Sequence, residues 1–390
     1  MLLYKDMLPA APDGVAVDEM LLTVGTPTTA GSRMLADYRS LFEAEAITRL
    51  RAAGIPVVGK TAVGEFGIDL LGETCYTGAT LRDGALALPA AEAIRAGEVK
   101  ATLVLDTNGA PTRGAGNDLV YIKPTYGTVS RFGVVPAACS ADTVGVLAAS
   151  AADCTRVLSA IVGHDDKDGT SLSEEECRAA LAVRPLRRVA VVTELCDALS
   201  PEMRERVDTA REALLAAGCE VSEISAPMLT MAKEAYTVLM SAEVCNNVSR
   251  YDGVKFGYRA EDFSGIDELY TKSRTEAFGT LLKTVILYGS DTLSTENYFK
   301  VYDKALRIRR KVVEAFSALF ESFDAILLPT ASKPVFTLSD IEADRMLAFE
   351  ESCYTAPALI AGLPSVAVRG VALVGPAFSD GSLLALAGTL

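Results

Sequence analysis

Between residues 188 and 224 the sequence runs strand, helix, strand with almost nothing in between, and this order restricts the possible folds more than any other feature. Residues 188–193 (Arg-Val-Ala-Val-Val-Thr) form a β-branched apolar run that reads as a buried strand. Pro201 opens a helix that continues to Ala217, and Gly218 ends it. Residues 219–224 then alternate in polarity as a strand does. Two strands separated by one helix pair in parallel through a right-handed crossover.

The rest of the sequence extends this pattern. Residues 44–53 read as an amphipathic helix with Ala46, Ile47 and Leu50 at helical spacing, ended by Gly54. Residues 55–59, 101–105, 119–122 and 325–329 read as strands, and 304–320 as a charged amphipathic helix. The alanine-rich stretch 142–162 predicts a helix or a pair of helices. No repeat or linker divides the chain. The expected fold is α/β, a single domain over residues 1–390, with a central mixed β-sheet covered by helices on both faces. Half of the 390 residues are hydrophobic, enough for a large buried core.

Composition narrows the function. The 37 basic and 51 acidic residues leave a net charge of −14, which repels phosphate backbones and argues against direct binding to nucleic acid. No apolar run is long enough to span a membrane, and the start lacks the apolar core of a signal peptide, so a cytoplasmic protein without membrane contact is expected. The eight cysteines include no C-x-x-C pair, and His164 is the only histidine. A metal centre and a cofactor are therefore not expected, and a histidine-based triad could draw only on His164. His164 follows an apolar helical stretch, where a cap or loop role fits. Lys60, in Gly59-Lys60-Thr61, has no glycine-rich loop before it and so does not signal a phosphate loop.

Two motifs carry more specific information. Asp106-Thr107-Asn108-Gly109-Ala110-Pro111-Thr112-Arg113 is followed by Lys123-Pro124-Thr125-Tyr126-Gly127. Together they resemble the amidase-signature family, whose core reads D-T-G-G-S-I-R and then K-P-T-Y-G. The resemblance extends through residues 44–54, 59–61, 97–107, 123–133, 361–364 and 375–378. Residues 249–258 (Ser-Arg-Tyr-Asp-Gly-Val-Lys-Phe-Gly-Tyr) point to the branch made up of the A subunits of tRNA amidotransferases. The chain begins where the family's lysine strand would be, so the family's N-terminal helical segment is expected to be absent. The stretches around residues 77–83 and 368–371 look shortened.

That resemblance implies a catalytic set. The family cleaves amides through a serine nucleophile, a bridging serine and a neutral lysine, with backbone N–H groups holding the oxyanion. Here Ala110 falls on the nucleophile, and alanine can neither attack a carbonyl nor pass on a proton. Counting back from Gly97-Glu98-Val99 without gaps places Leu86 on the bridging serine. Lys5, in Lys5-Asp6, resembles the family lysine. Asn108 replaces a glycine of the oxyanion turn, beside Gly109, and Pro111 supplies no N–H. Asp106, Thr107, Asn108 and Gly109 would form the substrate-binding turn. Tyr236 matches a tyrosine that contacts substrate, while Val285 and Ser352 stand where an arginine and an aspartate would hold it.

Three readings follow. The first is a catalytically silent relative that acts as a scaffold for partners like the B and C subunits of amidotransferases. The second is a protein that binds a neutral small molecule in a pocket lined by Leu86, Ala110 and Val285. The third is a hydrolase with a substitute nucleophile, with Thr112 ahead of Thr107 and Cys75.

Overall fold

Short aliphatic strands buried on both sides organise the molecule. The computed structural model describes residues 2–11 and 13–390. Its strands are β1 (Val15–Asp18), β2 (Val57–Thr61), β3 (Leu81–Arg82), β4 (Ala85–Leu86), β5 (Ala101–Asp106), β6 (Val120–Lys123), β7 (Thr143–Ala148), β8 (Arg188–Val192), β9 (Glu220–Ile224), β10 (Ala325–Pro329), β11 (Ser365–Val368) and β12 (Val371–Val374). Ten of these form one sheet in the order β2-β1-β5-β7-β6-β11-β12-β10-β8-β9, and β3 and β4 form a separate small hairpin. Strand β1 runs parallel to β2 and β5, and β8 runs parallel to β9 and β10. The central pairs from β5 through β7, β6, β11 and β12 to β10 are antiparallel. The sheet is mixed, as the sequence predicts.

Alternating side chains split the interior into two apolar layers. On β1, Val15 and Val17 join the larger layer and Ala16 the smaller. Leu103 and Leu105 oppose Val104 on β5 in the same way, and Val144 and Val146 oppose Leu147 on β7. Helices cover both layers. Of the first four, α1 (Glu45–Ala52) and α4 (Ala151–Ile161) bury their apolar faces in the larger layer, while α2 (Pro89–Arg95) and α3 (Ala110–Gly114) belong to the smaller. Further along the chain come α5 (Glu174–Leu181), α6 (Pro201–Ala216), α7 (Ala232–Val248), α8 (Ile266–Ala277), α9 (Thr280–Thr292) and α10 (Asp303–Phe320), most of which add to the larger layer. Among the described residues no helix is long and apolar enough to cross a membrane.

Several expectations change. Residues 142–162 are not helical throughout. Thr143–Ala148 is the buried strand β7, and the helix begins only after Ser150, whose hydroxyl accepts the Asp153 N–H. Burial on both faces overrides the helical preference of its alanine and leucine. Gly145 is needed here, because a Cβ would come within 2.5 Å of the Tyr121 hydroxyl on β6. The strand expected at 55–59 lies two residues later, at Val57–Thr61. The β11–β12 hairpin was not foreseen. Its two-residue turn, Arg369-Gly370, has φ angles of 51° and 81°, the left-handed pair that suits a tight hairpin.

Leu103 is fully buried on a central strand, whereas Leu287 is 72 % exposed on α9. Leu103→Ala should cost about 2–5 kcal/mol in urea unfolding. Leu287→Ala should stay within about 0.5 kcal/mol, and equal losses would contradict the placement of the core.

Candidate active site

Strands β1 and β5 lie side by side, and their C-terminal ends meet the turn that begins α3. The last residue of β1 is Asp18. Its Oδ2 accepts the Leu105 N–H at 2.7 Å and its Oδ1 accepts the Met20 N–H at 2.9 Å. Burial pushes this carboxyl up from 3.8 to about 7, against the pull of those two N–H groups and of Lys60. Lys60, at the end of β2, is also buried. Its Nζ donates to the Leu21 and Pro27 carbonyls at 3.0 Å each and to Thr28 Oγ1 at 2.9 Å. Burial lowers its pKa to about 8, while Glu19 and Asp18 favour the charged form. Glu19 accepts the Tyr4 hydroxyl at 3.2 Å, and burial raises its pKa.

The 106–113 turn is wired into the sheet. Asp106 accepts the Gly109 N–H at 2.6 Å and the Tyr121 hydroxyl at 2.9 Å. Thr107 donates to Asp142 at 2.7 Å, and its carbonyl accepts the hydroxyl of Tyr236. The Asn108 amide donates to the carbonyls of Ile68, Asp69 and Ala348 at 3.2–3.3 Å. Gly109 has φ +74°, and a Cβ there would fall 2.4 Å from Thr355. Arg113 is buried and donates to the Asn108 carbonyl at 2.7 Å. These bonds hold the turn rigidly, with Ala110 as the first residue of α3.

The cavity beside Ala110 has a volume of about 20 Å³, roughly the space of one water. Asp18, Asp69, Leu88, Ala90 and Pro111 help line it. No serine, threonine, cysteine, histidine or lysine is among its lining residues. Asp69 is tied down as well, accepting the Thr74 N–H at 2.8 Å and the Thr74 hydroxyl at 2.7 Å.

The structure separates several residues that the sequence placed together. Lys5 is exposed, on a short 3-10 turn, and makes no contact with the Ala110 cavity. The residue that reaches the cavity from β1 is Asp18, which the sequence reading missed. The signal was the run Val15-Ala16-Val17-Asp18-Glu19, which leads to Thr28-Thr29 without an insertion. Leu86 lies on β4, where its N–H donates to the Phe336 carbonyl at 2.7 Å. It lines a different cleft, of about 80 Å³, together with Arg113, while Leu88 and Ala90 face Ala110. Val285 and Tyr236 sit in the larger apolar layer, and the Ser352 hydroxyl donates to the Phe349 carbonyl at 2.6 Å. A ligand pocket lined jointly by Leu86, Ala110 and Val285 is therefore not formed, because Val285 packs in the other layer.

The substitute nucleophiles are also constrained. Thr112 is buried outside the cavity lining. The Thr107 hydroxyl is committed to Asp142. Burial raises the Cys75 thiol, which removes thiolate character. His164 lies in a loop, with its Nδ1 2.8 Å from the Leu172 carbonyl. Among the described residues no group of side chains could hold a metal ion.

Comparison with known proteins yields a consistent set. The Amidase family profile matches residues 14–82 and 114–384, leaving unmatched the stretch that contains Leu86, Leu88 and Ala110. The A subunit of the glutamyl-tRNA(Gln) amidotransferase of Latilactobacillus sakei is 34% identical over 95% of this chain and 80% of its own length. The crystal structure of the corresponding glutamyl-tRNA(Gln) amidotransferase polypeptide from Thermotoga maritima superposes with a TM-score of 0.79 at 27% identity, covering 96% of this chain and 82% of that one. A 6-aminohexanoate cyclic dimer hydrolase shares the fold, with a TM-score of 0.79 at 18% identity over 99% of this chain and 86% of that one.

The raised Asp18 pKa sets a direction for stability. A carboxyl with a folded pKa of about 7 and an unfolded one near 3.8 binds more protons when folded between those values. Its contribution to stability is therefore greatest below about pH 4 and is lost as pH rises to about 7, by up to about 1.4 kcal/mol per pH unit. Asp18→Asn should flatten the fall in urea midpoint over that window. An unchanged slope in the variant would show that Asp18 is ionised throughout.

Proposed function

Because the chain belongs to the amidase family, we propose that it is a member that has given up amide hydrolysis and acts by binding, as a scaffold for protein partners. One observation carries this reading. At Ala110, where the family places its nucleophile, a methyl group closes a cavity of about 20 Å³ whose lining offers neither a nucleophile nor an amine base. A covalent relay needs a hydroxyl or thiol in contact with a base. Asp18 could accept a proton, but no hydroxyl in the cavity lining has one to give.

The rest of the architecture supports a retained role. The turn around Ala110 is held by hydrogen bonds from Gly109, Tyr121, Thr107 and Tyr236. The amidotransferase relatives are named as subunits, that is, as components of larger assemblies, and we infer a similar relation between this chain and B- and C-like partners. A net charge of −14 suits a protein that leaves RNA contact to a partner.

The test is ammonia release from glutamine, asparagine and a panel of simple amides by the purified protein. We expect no turnover above a Thr112→Ala control. Ala110→Ser should restore none, because the Asp18 carboxylate facing it is already held by the Leu105 and Met20 N–H groups and the space of about 20 Å³ admits no amide substrate. Turnover that disappears in Thr112→Ala would overturn the reading in favour of a relocated nucleophile.

A further inference from the structure

Two adjoining cavities lie away from Ala110 and share no lining residue with its cavity. The first, about 360 Å³, is an apolar chamber with Leu22, Leu35, Val134 and Tyr251 among its walls and Arg250 as its one charged residue. The second, about 580 Å³, opens beside it and carries Arg33, Arg39 and Arg259, with Asp37 as its only acidic residue. The rings of Tyr38 and Phe256 line both. Each volume falls in the range of small-molecule sites.

The groove is built, not incidental. Its two loops are joined where the Tyr258 N–H donates to the Met34 carbonyl at 2.8 Å. Gly257, at φ +82°, permits that approach, since a Cβ would lie 2.7 Å from the same carbonyl. Phe66, Tyr251 and Phe256 form a ladder of rings from the core to the chamber, at centroid distances of 5.4 and 5.8 Å. The arginines are held by neutral groups. Arg33 lies 4.4 Å over the Tyr258 ring, Arg39 donates to the Gly25 carbonyl at 3.2 Å, and Arg259 lies 5.3 Å from the centre of Phe263. Glu276 accepts the Tyr258 hydroxyl at 2.5 Å and keeps its charge, but it is not among the lining residues of either cavity. Among the described residues none of Arg33, Arg39, Arg250 and Arg259 forms an ion pair. In a chain of net charge −14, with carboxylates in excess, unpaired guanidinium groups gathered at one mouth form a local anion trap.

We propose that this groove binds a small amphipathic anion, with an apolar chain in the chamber and a carboxylate or phosphate head among Arg33, Arg39 and Arg259. Guanidinium groups grip either head bidentately, and the chamber supplies the apolar contact. The inference does not depend on whether Ala110 has ended catalysis.

Calorimetric titration of the full chain tests it, with octanoate and octyl phosphate as probes. Acetate, inorganic phosphate and octanol serve as controls lacking the chain or the charge. Saturable binding of at least one probe is expected, about tenfold or more tighter than any control. The double variant Arg33→Gln/Arg259→Gln should weaken it about tenfold, and the double lysine variant, which keeps the charge but not the bidentate grip, should fall between that variant and the unmutated chain. Val134→Phe, which adds bulk to the chamber, should weaken both probes while leaving the arginines in place. Each variant is first checked for an unchanged Tm. Binding of acetate or octanol as tight as the probes, binding unaffected by the glutamine substitutions, or no saturable binding of either probe would overturn the proposal. The stronger of the two probes identifies the head group.

Discussion

The hydrogen bond from the Leu105 N–H to the Asp18 carboxylate, at 2.7 Å, joins the end of β1 to β5 where the sheet meets the α3 turn. The geometry of the catalytic region follows from it. Because the carboxylate turns back to accept backbone N–H groups from Leu105 and Met20, it fills space at the strand end instead of reaching outward. With Leu88, Ala90 and Ala110 packed around it, only about 20 Å³ remains. Burying a carboxylate is costly, and two N–H donors offset part of that cost. Asp18 is thus a structural clasp at a position where an amide-cleaving relay would need a proton acceptor in contact with a hydroxyl.

Lys60, on the next strand, is a buried amine committed elsewhere. It stands one register step from Asp18, since Val17 pairs with Lys60 and Asp18 with Thr61. Its ammonium is already enclosed by the Leu21 and Pro27 carbonyls and the Thr28 hydroxyl. Serving the Ala110 cavity would mean leaving all three. The cation instead ties down the 21–28 loop, and this sets the entrance to the apolar chamber, of which Leu22 is a wall.

How much of this was legible in the sequence depended on the residue. The 188–224 crossover was clear because each element there has its own period and its own punctuation: proline at the helix start, glycine at its end. Strand β7 was hidden because alanine and leucine suit both helix and strand, and only burial between β5 and β6 decides. The Ala110 position stood out because Asp106, Thr107 and Gly109 before it and Lys123–Gly127 after it match the family text. Lys5 misled because a two-letter match, Lys-Asp, outweighed spacing, whereas Asp18-Glu19 lay at a gap-free distance from Thr28. Leu86 shares the smaller apolar layer with Ala110 but lines the cleft beside Arg113, whereas Leu88 and Ala90, at the start of α2, line the Ala110 cavity. The arginine-lined groove left no local signal, since its two loops are more than 200 residues apart and are joined by the Met34–Tyr258 bond and by Arg33 on the Tyr258 ring.

The two sites obey opposite physical rules. At Ala110, polar groups are buried and mostly engaged with backbone and neighbouring side chains, and the enclosed space of about 20 Å³ leaves little room for a ligand. At the groove, charged side chains are held in position by aromatic rings and carbonyls, and most of their N–H donors remain uncommitted. Preorganised, unpaired donors beside apolar surface are what binding requires, because the ordering cost is met in the folding of the loops. Selection for amide hydrolysis would hold the first site open, whereas a binding role allows it to fill with methyl and isobutyl groups that stabilise the sheet end. An enclosed apolar cavity at Ala110 and an open arginine-lined groove thus give the two sites of one scaffold different capacities for a ligand.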